Sequence, residues 1–297
     1  MGQVKLNYTQ HFDIMTRQLL IITLGTLILA SCSKTDGNRS KPLSDFTTHE
    51  YLIDDSLILN PQCKGYYKAQ IDIPVEGSEA VIDSVRLWMA KEIIGSQNPD
   101  SASLIKMALD GNLEEVLVAR SSSFLRDFKT DAEEMEIDDS DPSMTYFFEM
   151  SSDYSIKEIF KNDNFVTFVN EGYEYLGGAH GMPWRYGQTF YRTGKPLGWD
   201  LLDLTPQNQS HLRDLIAKGL LDDYFKTNKW ETTGLWVADN IKELPLPTIP
   251  PYLTEGGIEF IYGPYEIGPY AIGQPNCVIP LSQLNDLLNP LYFPDRN

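Results

Sequence analysis

One apolar run, Leu19 to Ala30, limits this chain more than any other feature, because nothing else in the sequence approaches it in length. As a helix at ~1.5 Å per residue its twelve residues span about 18 Å. A hydrocarbon core is roughly 30 Å thick and needs about 18 apolar residues to cross it, which excludes a polytopic membrane protein. The rest of the chain must therefore bury its apolar residues against one another. Of 297 residues, 42% are hydrophobic and 22% charged, globular values that exclude whole-chain disorder. Lys plus Arg is 24 and Asp plus Glu is 42, a net charge of −18. That balance excludes the clustered basic surface of a nucleic-acid binder. It suits solubility and also a cationic partner.

Arg17 precedes the run, and small residues close it at Ala30-Ser31-Cys32, the layout of an export signal. Leu29-Ala30-Ser31-Cys32 resembles a bacterial lipoprotein signal box. The resemblance implies that 1–31 is a removed signal peptide and that Cys32 becomes a lipid-bearing N-terminus. The protein is then expected to be extracytoplasmic and held to a membrane through Cys32. Met15 stands as an alternative start, since Met15-Thr16-Arg17 gives a more compact signal. Residues 32–44 read as a flexible tether, because Ser33 to Pro42 is polar and carries no apolar period.

Beyond the tether the chain reads as α+β: two small α+β domains, 45–150 and 151–297, with mixed or antiparallel sheets and packed helices. Tyr67, Ala69, Ile71 and Ile73 alternate as on a strand, and Val81, Val85, Met89 and Ile93 recur at helical spacing after Gly77-Ser78. A second helix is expected over about Asn112 to Phe128. Strands are expected over Met144–Glu149, Tyr154–Phe160, Phe165–Tyr175, Gln188–Arg192 and Gly257–Tyr262. Thr205-Pro206 opens a further helix, and Leu281 to Leu288 a closing one. The acidic run Asp131 to Asp141 lacks the Gly and the alternating ligand spacing of a calcium loop, so it reads as a solvated loop. Cys63 and Cys277 lack the paired spacing of a zinc site. Two separate buried thiols are expected ahead of a bridge between them.

Two segments concentrate glycine with aromatic residues. Tyr173-Glu174-Tyr175-Leu176-Gly177-Gly178-Ala179-His180-Gly181 follows a strand with almost no side-chain bulk after Leu176. Tyr262-Gly263-Pro264-Tyr265-Glu266-Ile267-Gly268-Pro269-Tyr270-Ala271-Ile272-Gly273 alternates aromatic, Gly and Pro. Between them lies the turn Thr193-Gly194-Lys195. This ordered set resembles the RsiV-like family of bacterial envelope domains, over about residues 165–288. The half before it is similar in layout to the PdaC-type domain that precedes such domains and peptidoglycan deacetylase catalytic domains. The resemblance implies an envelope binding role, the best-understood type recognising lysozyme, a cationic protein. The eighteen residues before the apolar run are too few for the sigma-factor-holding domain of that type.

The candidate binding residues are Tyr173, Tyr175, Gly177, Gly178, His180, Gly181, Tyr265, Glu266 and Tyr270. The tyrosines, with Tyr262, supply either an aromatic surface for a protein or a glycan, or core packing. His180 is expected to bond backbone groups and fix its turn, and Glu266 is a possible partner for it. No GxSxG elbow, P-loop, GxGxxG or zincin helix occurs, so binding is expected ahead of catalysis. Neither a cofactor nor a metal is called for. The expected partners are the membrane through Cys32, and a lysozyme-like cationic protein or, alternatively, peptidoglycan. A hydrolase using His180 and Glu266 requires both segments to meet at one pocket.

Overall fold

The computed structural model describes residues 42–95, 101–135, 147–229, 235–236 and 241–294. The apolar run, Cys32 and most of the tether lie outside these residues, as do 136–141 of the acidic run.

Alternation places Tyr67, Ala69, Ile71 and Ile73 on one face of β2 (Cys63–Glu76), and all four are buried. β2 pairs antiparallel with β1 (Thr47–Asn60), which forms the sheet edge. Three helices follow: α1 (Glu79–Ile94), α2 (Ser101–Leu109) and α3 (Leu113–Glu134). Val81, Val85, Met89 and Ile93 of α1 and Val116, Leu117, Phe124 and Phe128 of α3 pack into the same core as the β2 residues. The helical connection returns the chain in the same direction, so β3 (Phe148–Lys161) pairs parallel to β2. β4 (Phe165–Tyr175), β5 (Met182–Tyr191) and the short β6 (Pro196–Leu197) continue antiparallel. The result is a six-stranded mixed sheet in chain order.

A second core gathers around α4 (Pro206–Gly219), whose N-cap Thr205 accepts the Asn208 N–H at 3.3 Å. Leu212 and Ile216 of this helix pack with Leu253, Ile258 and Phe260. Those residues belong to a three-stranded antiparallel sheet of β7 (Tyr252–Thr254), β8 (Gly257–Ile261) and β9 (Asn276–Ile279), followed by α5 (Leu281–Leu284). Val169, Ile249, Tyr252 and Ile261 form a smaller cluster joining β4 to this sheet. Arg185 of β5 makes a two-pronged ion pair with Glu259 of β8, at 2.5 and 3.1 Å.

The α+β class matches the sequence expectation. The boundary placed at 150/151 falls inside β3, which is one strand where the sequence suggests two. The helix expected to end near Phe128 runs on to Glu134. Cys63 and Cys277 are both buried and unbridged. Among the described residues no helix is long and apolar enough to cross a membrane.

Candidate functional site

The β4–β5 loop is shaped by its glycines. Gly177 and Gly178 take φ values of 90° and 94°, where a side chain is strained. Gly181 then returns against the ring of Tyr173. A Cβ on Gly181 would stand 2.4 Å from Tyr173 Cζ and 2.6 Å from the Glu174 carbonyl oxygen, so only glycine fits. At that distance the Gly181 N–H donates to the Tyr173 hydroxyl (2.9 Å). The Tyr175 hydroxyl donates to the Gly178 carbonyl (2.9 Å), closing the loop on itself.

The second glycine-rich segment connects β8 to β9 and crosses over this loop. The Tyr270 hydroxyl donates to the Gly181 carbonyl at 2.8 Å. The exposed His180 ring stacks on Tyr270, with centroids 4.0 Å apart and planes 21° from parallel. His180 Nδ1 lies 3.0 Å from the Gly181 carbonyl oxygen, which can only accept, so Nδ1 carries the proton. Nε2 then faces the Tyr265 hydroxyl at 3.4 Å. Tyr265, at φ 64°, lies 5.7 Å from Tyr270 by ring centroids, and Trp236 stacks on Tyr265 at 6.2 Å. Trp236 is 61% exposed and Tyr173 43%. Trp236, Tyr265, Tyr270 and His180 thus form one contiguous aromatic series at the surface, stacked at its two ends and tilted between Tyr265 and Tyr270.

Glu266 is not His180's partner, contrary to the pairing raised from sequence. One oxygen accepts the Thr248 N–H (2.6 Å) and the other the Gly263 N–H (2.7 Å), which fixes the loop. Burial raises its carboxyl pKa, against the lowering effect of those two hydrogen bonds. Tyr262 is buried and donates to the Pro245 carbonyl at 2.7 Å, so it serves the scaffold. Tyr175 ends β4 and bonds within its own loop rather than stacking in the series. Trp236 was not singled out from sequence. It lies between Leu235 and Val237 in a short run too brief to show a period, and no local pattern brings it to Tyr265.

Tyr173 also belongs to a groove of about 520 Å³ on the sheet face opposite the helices. Its floor is a row of cross-strand neighbours, Asp54, Lys68, Asp153 and Tyr173, from β1 to β4. Tyr173 therefore links the groove to the series through Gly181, whose N–H it accepts and whose carbonyl accepts the Tyr270 hydroxyl. Together they offer flat aromatic faces, hydroxyls and charges of both signs. Glu266 is turned to the backbone, and the partners of the His180 ring nitrogens are the Gly181 carbonyl and the Tyr265 hydroxyl.

Residues 205–282 match the family model described as a protein of unknown function (DUF3298), and residues 91–183 match the model described as deacetylase PdaC. The aromatic series joins a loop from the end of one matched segment to a loop within the other. A solved DUF3298-family structure from Bacteroides fragilis NCTC 9343 shares the fold at TM-score 0.53 and 20% identity, covering 84% of this chain and 96% of that one. A DUF3298-family structure from Pseudomonas aeruginosa PAO1 is similar at TM-score 0.50 and 17% identity, covering 82% and 95%. No curated protein matches the chain.

Proposed function

We propose that this is an extracytoplasmic binding protein of the bacterial envelope, tethered by lipid on Cys32, whose aromatic series and adjoining groove hold a cell-wall glycan. The observation that carries this reading is the meeting of Trp236, Tyr265, Tyr270 and His180 in one contiguous aromatic series at the surface, linked through Gly181 to a groove lined by Tyr173. Sugar rings present flat C–H faces to aromatic rings and hydroxyls to polar groups at their edges. The groove's volume is in the ordinary range for a ligand site. The deacetylase name of the matched model, the RsiV-like order of the two loops and the Leu29-Ala30-Ser31-Cys32 box all agree with a place in the envelope.

Sedimentation with insoluble peptidoglycan tests it. The wild-type chain is expected in the pellet. Tyr265→Ala and Trp236→Ala should each weaken binding about tenfold, the usual cost of truncating an aromatic anchor. Wild-type protein left wholly in the supernatant would overturn the proposal. A second reading, a lysozyme-like cationic protein, is favoured by the net charge of −18 and by the affinity of aromatic faces for cations. It requires capture of lysozyme at low salt and its release at high salt.

A further inference from the structure

On the helix-covered side of the sheet lies a cavity of about 90 Å³. Its walls include Tyr67, Tyr154, Trp184 and Tyr186 from the sheet, Glu92 from α1 and Arg120 from α3. The strand register builds it. Tyr154, Gly172 and Trp184 are cross-strand neighbours, and Asn170 faces Tyr186 one row further along. Gly172 lets Tyr154 and Trp184 close in from the neighbouring strands: a Cβ there would stand 2.4 Å from Tyr154 Cβ and 2.7 Å from the Trp184 ring. Any larger residue would drive these two side chains apart.

The polar groups converge on Glu92. The Tyr186 hydroxyl donates to the Glu92 carboxylate, Asn170 Nδ2 donates to the Tyr186 hydroxyl (3.1 Å), and Trp184 Nε1 donates to Asn170 Oδ1 (2.9 Å). The Tyr67 and Tyr154 hydroxyls bond each other at 2.7 Å. Arg120 is committed elsewhere, 3.9 Å from Glu174, and both side chains are about a quarter exposed (27% and 26%), which puts this pair on the solvent side of the cavity. Among the described residues no Lys, Arg or His forms an ion pair with Glu92. Glu92 is half-buried, where a carboxylate without a counter-charge is costly, and the four aromatic side chains lining the same cavity make a cation the complementary ligand.

We propose that this cavity receives a primary ammonium group on a short alkyl stem. Glu92 is the counter-ion, and Tyr67, Tyr154, Trp184 and Tyr186 form the aromatic wall around it. The loose Arg120–Glu174 pair stands on the route in. Such a group is carried by a lysine side chain or by a free alkylamine. The site lies across the sheet from the groove and shares no residue with the aromatic series, so either can fail without the other.

Calorimetric titration of the full chain with n-butylamine, beside the neutral isostere n-butanol, provides the test. Butylamine is expected to saturate with a dissociation constant on the order of millimolar, as suits so few atoms, and butanol to bind at least about tenfold more weakly. Butylamine that does not saturate, or butanol that binds equally well, overturns the proposal. Glu92→Gln keeps the shape and the Tyr186 hydrogen bond while removing the charge. With an unchanged circular dichroism spectrum, it should lower amine affinity about tenfold or more. Unaltered affinity contradicts the assignment, and the amine–alcohol comparison on the wild type stands even if this variant folds poorly. Displacement of butylamine by Gly-Lys-Gly supports the site with a protein side chain as the source. Butylamine binding that the tripeptide leaves untouched supports it with a free amine as the source.

Discussion

Gly181 and Glu266 mark what single residues disclose. The demand for glycine at 181 is legible as a gap in side-chain bulk, and its cause is the Tyr173 ring at 2.4 Å from the missing Cβ. The direction in which Glu266 turns is not legible, because the backbone N–H groups of Gly263 and Thr248 compete for it only once the loop is folded. Glu92 was equally silent in the sequence, one carboxylate among many on an amphipathic helix. Its burial raises its pKa above the ordinary 4.5, offset in part by the Tyr186 hydrogen bond, Lys91 and Asn170. Between 4.5 and that raised value the folded chain binds a proton that the unfolded chain has released, and above it Glu92 is the carboxylate that an amine would meet. Stability from this group is complete below 4.5 and is lost as pH rises through the raised folded value. Urea midpoints of the wild type and Glu92→Gln at about pH 5 and about pH 8 check this. The wild type should approach the variant at the lower pH and fall behind at the higher. A gap that is the same at both would mean that the carboxyl is not perturbed.

At the scale of elements, strands with one apolar face were readable and strands without one were not. β2 buries alternate residues and α1 and α3 carry apolar stripes, so each was foreseeable. β1 sets Tyr51, Ile53 and Leu57 toward the core, but Asp55 interrupts that face and Leu52, Ile58 and Leu59 stand exposed at the sheet edge, which blurs the alternation. Ser151-Ser152-Asp153 carries none of the aromatic or β-branched residues that mark the strands expected on either side of it, yet β3 runs through it and Ser152 is buried. β5 is half-buried along most of its length, since β8 and β9 belong to a sheet that the sequence does not place against it. That contact depends on Arg185, whose partner Glu259 has a side chain only 3% exposed. Arg185→Ala strands a buried carboxylate and should cost about 3–5 kcal/mol, read as a lower denaturant midpoint. Adding Glu259→Gln should recover part of that loss by removing the unpaired charge. A single variant within about 0.5 kcal/mol of wild type would show that the pair does not fasten the two sheets.

Across the whole molecule, the two segments that match different family models supply the two loops of one surface. The sequence made both loops conspicuous, but their union depends on long-range contacts such as Tyr270 to Gly181 and Trp236 to Tyr265. The net charge of −18 acts at this scale as well. An electrostatic partner is screened off by salt, while stacking on uncharged sugar faces is not. Peptidoglycan pelleting of the full chain at roughly 0.05 M and roughly 0.5 M salt therefore separates the two readings most directly. Glycan held on the aromatic series predicts nearly equal bound fractions at both concentrations, and their loss in a Trp236→Ala, Tyr265→Ala double variant. Binding that disappears at the higher salt, or that survives the double variant intact, would contradict it.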